Sequence, residues 1–320
     1  MLHKSLLRHT VRFLCTNTTS KKRPRPRIAN LGARHDYRDA IPHAYGDLLY
    51  GTHSIEAALT SNSRKSYHAF YAVGTKGEDD AQNDAQEKAI KNRGRLARMA
   101  ERLNIPIHWV SRQELNTLLP SGSAGSSGGL ALDCAPLGDD ILSIGSATEL
   151  DALCTAAPVD NNVVVFLDEV QDPQNLGATL RCALFLGTAG VVVSGKNSAP
   201  LSPSVSRASS GALEILAAQG RIRYTRGPLP TLLKDMKAHE WNIVGTVVND
   251  TRAVVLNAAE TETKKESKVA IIMGSEGHGM RTMVKRGCTT LVTLPASVGS
   301  SSCNSLNVSV TSALVMNHFL

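Results

Sequence analysis

Three short stretches of the chain hold side chains that do chemistry, and each follows a strand-like apolar run. The first, DEVQDPQNLGATLRCAL (168–184), carries Asn175 and Arg181. The second, GSEGHGM (274–280), sets Glu276 among three glycines. The third, LPASVGSSSCNSLNVSV (294–310), carries Ser305 and Asn307. An arginine, always protonated, can steady a developing oxyanion or hold a phosphate. Glycine at a strand end lets the backbone approach a ligand closely. The glycine loop is not a phosphate cradle, since neither GxxxxGK[ST] nor GxGxxG is present. A carboxylate inside it also repels phosphate. The ligand it suits is neutral or positive. Each residue also has a plainer reading. Asn175 fits the N-cap of a helix starting near Leu176. Arg181 fits a solvated arginine on a non-core helix face, and Glu276 fits the cap of a nearby helix. Ser305 fits a cap too, with Asn307 a polar residue in the first turn of the last helix.

The elements that position these loops follow from apolar runs. VVVFL (163–167), AGVVVS (189–194), WNIVGTVV (241–248), VAIIM (269–273) and TLVTLP (290–295) are short, continuously apolar and rich in Val and Ile. Such runs suit a parallel sheet covered on both faces, with helices between the strands. Ligands of these sheets bind beyond the carboxyl ends of the strands, where the three loops stand. From Ser305 the pattern turns helical, with Leu306, Val310, Leu314 and Phe319 recurring.

Residues 45–135 form a smaller α/β unit. A helix is expected at 50–59, capped by Thr52, and strands at 68–73, 105–110 and 129–135. A charged helix is expected at 84–103 with Ile90, Leu96, Met99 and Leu103 inward, and a short one at SRQELNTLL. SGSAGSSGG (121–129) reads as a mobile loop too rich in Gly and Ser to pack. Residues 136–160 read as a linker and 161–320 as the second domain.

The net charge of +7 belongs to one end. Residues 1–35 carry nine Lys and Arg and no acid, which leaves 26 basic against 28 acidic residues elsewhere. The body therefore gives no bulk-charge argument for nucleic acid, and any such binding must use a local patch. MLHKSLLRHTVRFLCTNTTS has the acid-free, amphipathic pattern of a mitochondrial import presequence, and KKRPRPR extends it as a flexible basic arm. No apolar run is long enough to span a membrane. The six cysteines make no CxxC pair and no zinc spacing, so free thiols in a reducing compartment, and no metal, are expected.

Taken together and in order, the three stretches resemble the motifs of the SpoU family of RNA ribose 2′-O-methyltransferases, in the SPOUT superfamily. NLGATLR places Asn175, Gly177 and Arg181; IIMGSEGHGM and LP…SLNVSV supply the other two motifs. SSGALE (209–214) is similar to a serine–glycine–alanine segment of the family. The likeness covers most of 163–320. The unit at 45–135 resembles, less specifically, an L30e-like RNA-binding domain. With the import-like arm, the chain is most similar to members that act in mitochondria on a guanosine of large-subunit rRNA.

The resemblance implies a C-terminal α/β knot, a parallel sheet whose last segment is threaded as a trefoil, an exception to the unknotted rule. It implies S-adenosylmethionine held by backbone contacts at Gly274, Leu294 and Leu306, with Gly245 and Thr246 as further candidates. Arg181 would steady the alkoxide with Ser305 and Asn307, Asn175 would belong to the same set, and Glu276 would orient Arg181 or Asn307. A homodimer with its site near the interface, an rRNA substrate and the mitochondrial matrix follow as expectations. Transfer RNA as substrate, or ribosome assembly with incidental methylation, stay as alternatives. Two departures stand out. SAGSSGGLAL replaces the family's His–Gln–Gly signature, and the loop from Pro295 to Ser305 is longer than usual.

Overall fold

The computed structural model describes residues 44–74, 84–248, 250–256, 267–295 and 305–320. The expected presequence, the basic arm and most of the Pro295–Ser305 loop, through which any threading would pass, lie outside them. Residues 42–320 form one compact unit with two sheets.

The smaller lobe runs β1 (Asp47–Tyr50), α1 (Thr52–Ser61), β2 (Tyr67–Val73), α2 (Asp84–Arg102), β3 (Ile107–Val110), α3 (Arg112–Leu118) and β4 (Leu130–Cys134). Its mixed sheet has the order β1-β4-β2-β3. Leu49, Phe70, Ala72, Leu130 and Leu132 pack against Ile55 and Leu59 of α1 and Leu96 of α2. Several expectations change here. Residues 47–50 are an edge strand, too short to show alternation. The N-cap of α1 is Gly51, with Thr52 already inside the helix. Leu103 lies past the end of α2 and is exposed. The Gly/Ser stretch packs: Ser123 and Ser127 are buried, and the Ser127 carbonyl accepts from Gly51 N at 3.2 Å. Small side chains let its backbone lie against the neighbouring strand and helix.

The larger lobe begins earlier than its apolar runs suggest. Within 136–160, β5 (Ser143–Ile144) joins the large sheet. After it, α4 (Ala147–Ala156) covers that sheet with Leu150 and Leu153. A capping box between Ser146 and Glu149 starts α4, so this stretch is part of the lobe and not a linker. There follow β6 (Val163–Leu167), α5 (Pro173–Leu186), β7 (Gly190–Val193), α6 (Pro203–Ala208), α7 (Ala212–Ala218), β8 (Ile222–Thr225) and α8 (Leu229–Ala238). The chain ends with β9 (Asn242–Thr246), β10 (Val254–Val255), β11 (Val269–Met273), α9 (Thr282–Gly287), β12 (Thr290–Thr293) and α10 (Val308–Phe319).

The eight strands pair in parallel in the order β10-β12-β9-β11-β6-β7-β8-β5. Alternate residues of β6 face opposite layers. Val163, Val165 and Leu167 meet the α5, α7 and α10 side. Val164 and Phe166 meet α4 and α8. Strand β6 pairs with β11 on one side and β7 on the other, so the winding reverses between β6 and β11. That is the switch point where open parallel sheets bind ligands. The helical pattern after Ser305 becomes α10, with the recurring apolar residues mostly outside. Ser312, Val315 and Met316 are buried, whereas Leu306, Val310 and Leu314 are exposed.

The lobes are joined by a buried ion pair. Arg64, in the loop after α1, gives Nε to Glu214 Oε2 at 2.8 Å and Nη2 to Oε1 at 2.6 Å. Both side chains are fully buried. Gly211 lets α7 dock on α1: its φ is +85°, and a β-carbon there would stand 2.6 Å from the Ala57 β-carbon and the His53 carbonyl.

Candidate active site at the strand switch point

Helix α5 starts one turn earlier than Asn175 suggests. Asp172 is the N-cap and accepts from Gln174 N at 3.0 Å, with Pro173 in the first helical position. Asn175 is inside the first turn, nearly buried, and its amide is free for another task. Its Nδ2 donates to Glu276 Oε1 at 2.8 Å. Its Oδ1 accepts from Asn307 Nδ2 at 2.8 Å. Asn307, not Ser305, caps α10; its Oδ1 accepts from Ser309 N at 2.9 Å and from Ser309 Oγ at 2.6 Å. The three motif loops therefore meet in one chain of hydrogen bonds.

The chain has a direction. A carboxylate only accepts, so Glu276 turns the Asn175 amide nitrogen toward itself. That aims Oδ1 at Asn307, and Asn307 turns its own oxygen to the helix N–H groups. Glu276 thus orients Asn175, and Asn307 only through it. It makes no hydrogen bond or ion pair with Arg181, so of the two partners the resemblance implies for it, Arg181 and Asn307, it reaches only the second, and that through Asn175. Arg181 is exposed and gives Nη1 to Ser210 Oγ at 3.2 Å. Six residues along a helix are about 9 Å and 240°, so Asn175 and Arg181 lie on different faces of α5.

A second cluster went unnoticed in the sequence. Arg281, at the start of α9, holds Asp168 through Nε at 3.1 Å and also through Nη2. Its Nη1 lies 3.0 Å from Glu169 Oε1. The bond to Asp168 raises the arginine's pKa above its ordinary value, against the opposing effect of burial. The pair ties the end of β6 to the loop after β11. Glu169 adopts φ +59°, and its N–H donates to Ser194 Oγ at 2.9 Å. The available signal was acidic residues placed directly after a buried strand.

The proposed ligand-holding positions stand side by side. Gly245 and Thr246 end β9, Gly274 follows β11 and Leu294 follows β12, three neighbouring strands. Leu306 immediately precedes Asn307 and is half exposed. Thr246 Oγ1 donates to Ile272 O at 3.0 Å. Gly274 is required by the loop itself, because a β-carbon would lie 2.4 Å from Met280 N. The loop closes through Gly279 N to Ser275 O at 2.9 Å. At Gly245 the missing side chain makes room for Cys288 and Met280, so only its backbone is left for a ligand. The rim fits a cationic ligand: Glu276 is exposed, and Arg281 is already neutralised by Asp168 and Glu169.

Comparison with known proteins agrees with this geometry. Residues 162–317 match the SpoU rRNA Methylase family, and residues 48–137 match the family described as RNA 2′-O ribose methyltransferase substrate binding. The chain is 27% identical over 298 residues to "rRNA methyltransferase 1, mitochondrial" of Schizosaccharomyces pombe, covering 84% of this chain and 88% of that protein. It is 35% identical over 154 residues to the protein of that name in Dictyostelium discoideum, covering 48% of this chain but 28% of the relative. It is 29% identical over 271 residues to the "23S rRNA (guanosine-2′-O-)-methyltransferase RlmB" of Pseudomonas syringae, covering 84% and 92%. An AdoMet-bound rRNA methyltransferase from Sinorhizobium meliloti shares the fold. Its TM-score is 0.57 at 16% identity, over 85% of this chain and 86% of that one.

Proposed function

We propose that this chain, which belongs to the SpoU rRNA methylase family, methylates the ribose 2′-hydroxyl of a guanosine in mitochondrial large-subunit rRNA. The observation that carries the reading is the Glu276–Asn175–Asn307 chain, which gathers the three motif loops at the switch point. The names of the relatives support rRNA and the mitochondrion. The import-like arm supports residence in the matrix.

S-adenosylmethionine supplies a methyl group already activated on a sulfonium, so no metal is required. Gly274, Leu294 and Leu306, with Gly245 and Thr246, are the backbone positions that would hold it, and Glu276 favours its positive charge. Asn175 fixes Asn307, which with Ser305 orients the ribose. Arg181 stays protonated, so its part is to steady the developing alkoxide or anchor the adjoining phosphate. Most of the acceleration then comes from alignment.

The protein acts as a homodimer in this reading. Phe185 is 87% exposed, and Val310 and Leu314 on α10, with Leu306 just before it, are exposed too. Helices α5 and α10 lie in the same layer, so their outer faces make one apolar surface, the kind a second copy covers. Arg181, four residues before Phe185, falls on that surface.

The test is purified methyl transfer to unmodified mitochondrial large-subunit rRNA, with methylated riboses mapped. Arg181→Ala should abolish transfer and leave S-adenosylmethionine binding intact. An rRNA that gains no 2′-O-methyl with the wild-type protein overturns the assignment.

A further inference from the structure

Around the Gly/Ser loop stand arginines that make no ion pair among the described residues. Arg93, on α2, is half-buried and makes no ion pair among the described residues. It lies over Gly129, where even a β-carbon would come within 3.4 Å of its Nη1. Its charged neighbour is another cation, Arg112, the exposed first residue of α3; burial first, and that like charge second, lower the pKa of Arg93. On the other side of the loop stands Arg207 of α6, from the larger lobe. Its Nε donates to Ser126 O at 3.2 Å, and it meets no carboxylate among the described residues. Arg207 in turn leads to the catalytic side: its carbonyl accepts from Ser210 N at 3.1 Å, and Ser210 Oγ accepts from Arg181.

Guanidinium groups do not lose their protons, so a half-buried one with another cation nearby is a standing cost. Among the described residues the nearby acids do not relieve it. Glu56 is paired with Arg95 and Glu214 with Arg64. An anion with several oxygens, spaced along a chain, fits this arrangement. Guanidinium pairs with phosphate through two parallel N–H bonds. A single small anion would satisfy Arg93 and Arg112 but leave Arg207 and Arg181 on their own.

We propose that Arg112, Arg93 and Arg207, set around residues 126–129, form a phosphodiester-binding track that leads RNA across the lobe junction to Arg181. The track rests on the reading of the chain as an RNA-modifying enzyme and specifies how its substrate is held. The local patch, rather than net charge, supplies the electrostatics.

The test uses a fluorescein-labelled, mixed-sequence RNA hairpin of about 30 nucleotides, titrated from low to moderate salt. Each lost phosphate contact makes the slope of log K against log salt shallower by about 0.7 to 0.9. Arg93→Gln with Arg112→Gln should therefore flatten the slope by about 1.4 to 1.8 and weaken binding roughly tenfold. In methyl transfer the same variant should raise the KM for RNA and leave kcat and S-adenosylmethionine affinity unchanged. Arg112→Gln alone, at an exposed position, gives half the change in slope and covers the case where the double variant misfolds. The control, Arg98→Gln with Arg102→Gln, removes equal charge from the exposed end of α2. An equal loss in that control, or unchanged binding in the track variants, overturns the track. Absence of hairpin binding by the wild type overturns it too. Arginine-dependent hairpin binding without any methyl transfer keeps the track and refutes the enzymatic reading instead.

Discussion

Two residues at the start of α5 separate structure from chemistry. Asp172 caps the helix, and Asn175, three residues on, spends its amide on Glu276 and Asn307. Loss of a carboxylate cap costs about 1 kcal/mol. Asn175→Ala removes one hydrogen bond to a charged group and one between amides, together about 2 to 4 kcal/mol. The lower end applies, because exposed Glu276 regains water. At about 2 °C per kcal/mol for a unit of this size, Asp172→Ala should lower Tm by about 2 °C and Asn175→Ala by about 4 °C. Their kinetics should differ far more. Asp172→Ala keeps kcat at 25 °C, whereas Asn175→Ala frees Asn307, and a misplacement near 1 Å costs roughly a hundredfold. Asn175→Asp sharpens the case, since it sets two carboxylates face to face at a separation of 2.8 Å. The repulsion is relieved when the pair takes up a proton, and that proton restores the donor. The activity of this variant relative to wild type should therefore rise as pH falls from 8 to 5.5. Equal kcat losses for the cap and the amide variants, or a flat ratio for Asn175→Asp, refutes the directed chain.

Other outcomes follow from single features. Glu214→Leu leaves the buried Arg64 with only one of its two carboxylates, Asp47, and should cost about 3 kcal/mol in urea unfolding, the lower end for a broken buried pair, whereas Glu214→Leu with Arg64→Met should recover most of it. Phe185→Asp puts a charge on the apolar surface of α5 and α10 and should yield monomers by light scattering. Burial pushes the thiols of Cys134 and Cys154 up to about 12 and that of Cys288 up to about 11. A thiol pKa raised on folding stabilises fully below the unfolded value near 9, and that stability is lost as pH climbs toward 11 and 12. Tm should fall across this window by an amount that Cys134→Ala reduces; these three thiols should resist alkylation in the native protein at pH 8.

The sequence showed the sheet best where strands are covered on both sides. VVVFL and VAIIM became β6 and β11 residue for residue, because continuous apolar runs leave no ambiguity about register. Strands β5, β8 and β10 were missed. They sit toward the edges of the sheet, with two to four residues each, and IRYT mixes a charge into its run. The Gly/Ser loop misled because composition reports what a segment lacks, while its packing comes from Gly51, Arg93 and Arg207 elsewhere. The plain reading of Asn175 as an N-cap failed for a related reason. The amide that suits an N-cap equally suits a bond to a residue 101 positions away, and local sequence does not choose between them. On α10 the apolar residues at 306, 310 and 314 recur as a core face does. In the dimer proposed above that face would meet a second copy, and such a surface leaves the same pattern as one that meets its own sheet.

The separation of Arg181 from Asn175 on α5 has a consequence for how a site is completed. One chain directs Asn175, Glu276 and Asn307 to one side of the helix and Arg181 to the other, and a helix cannot turn half its face. If the reaction uses both sets, a second copy packed on the Phe185 surface brings them together. Complementation decides it. Asn175→Ala and Arg181→Ala are each expected to be inactive as homodimers. Mixed and allowed to exchange, half of the dimers carry one of each chain. In these, one of the two composite sites draws Asn175 and Arg181 from unmutated positions, so the mixture should regain about a quarter of wild-type activity. Sites built within a single chain would stay broken in every dimer, because each chain lacks one of the two residues. A mixture that exchanges subunits, shown by light scattering or fluorescence transfer, yet recovers no methyl transfer refutes the shared site and returns Arg181 to its own chain.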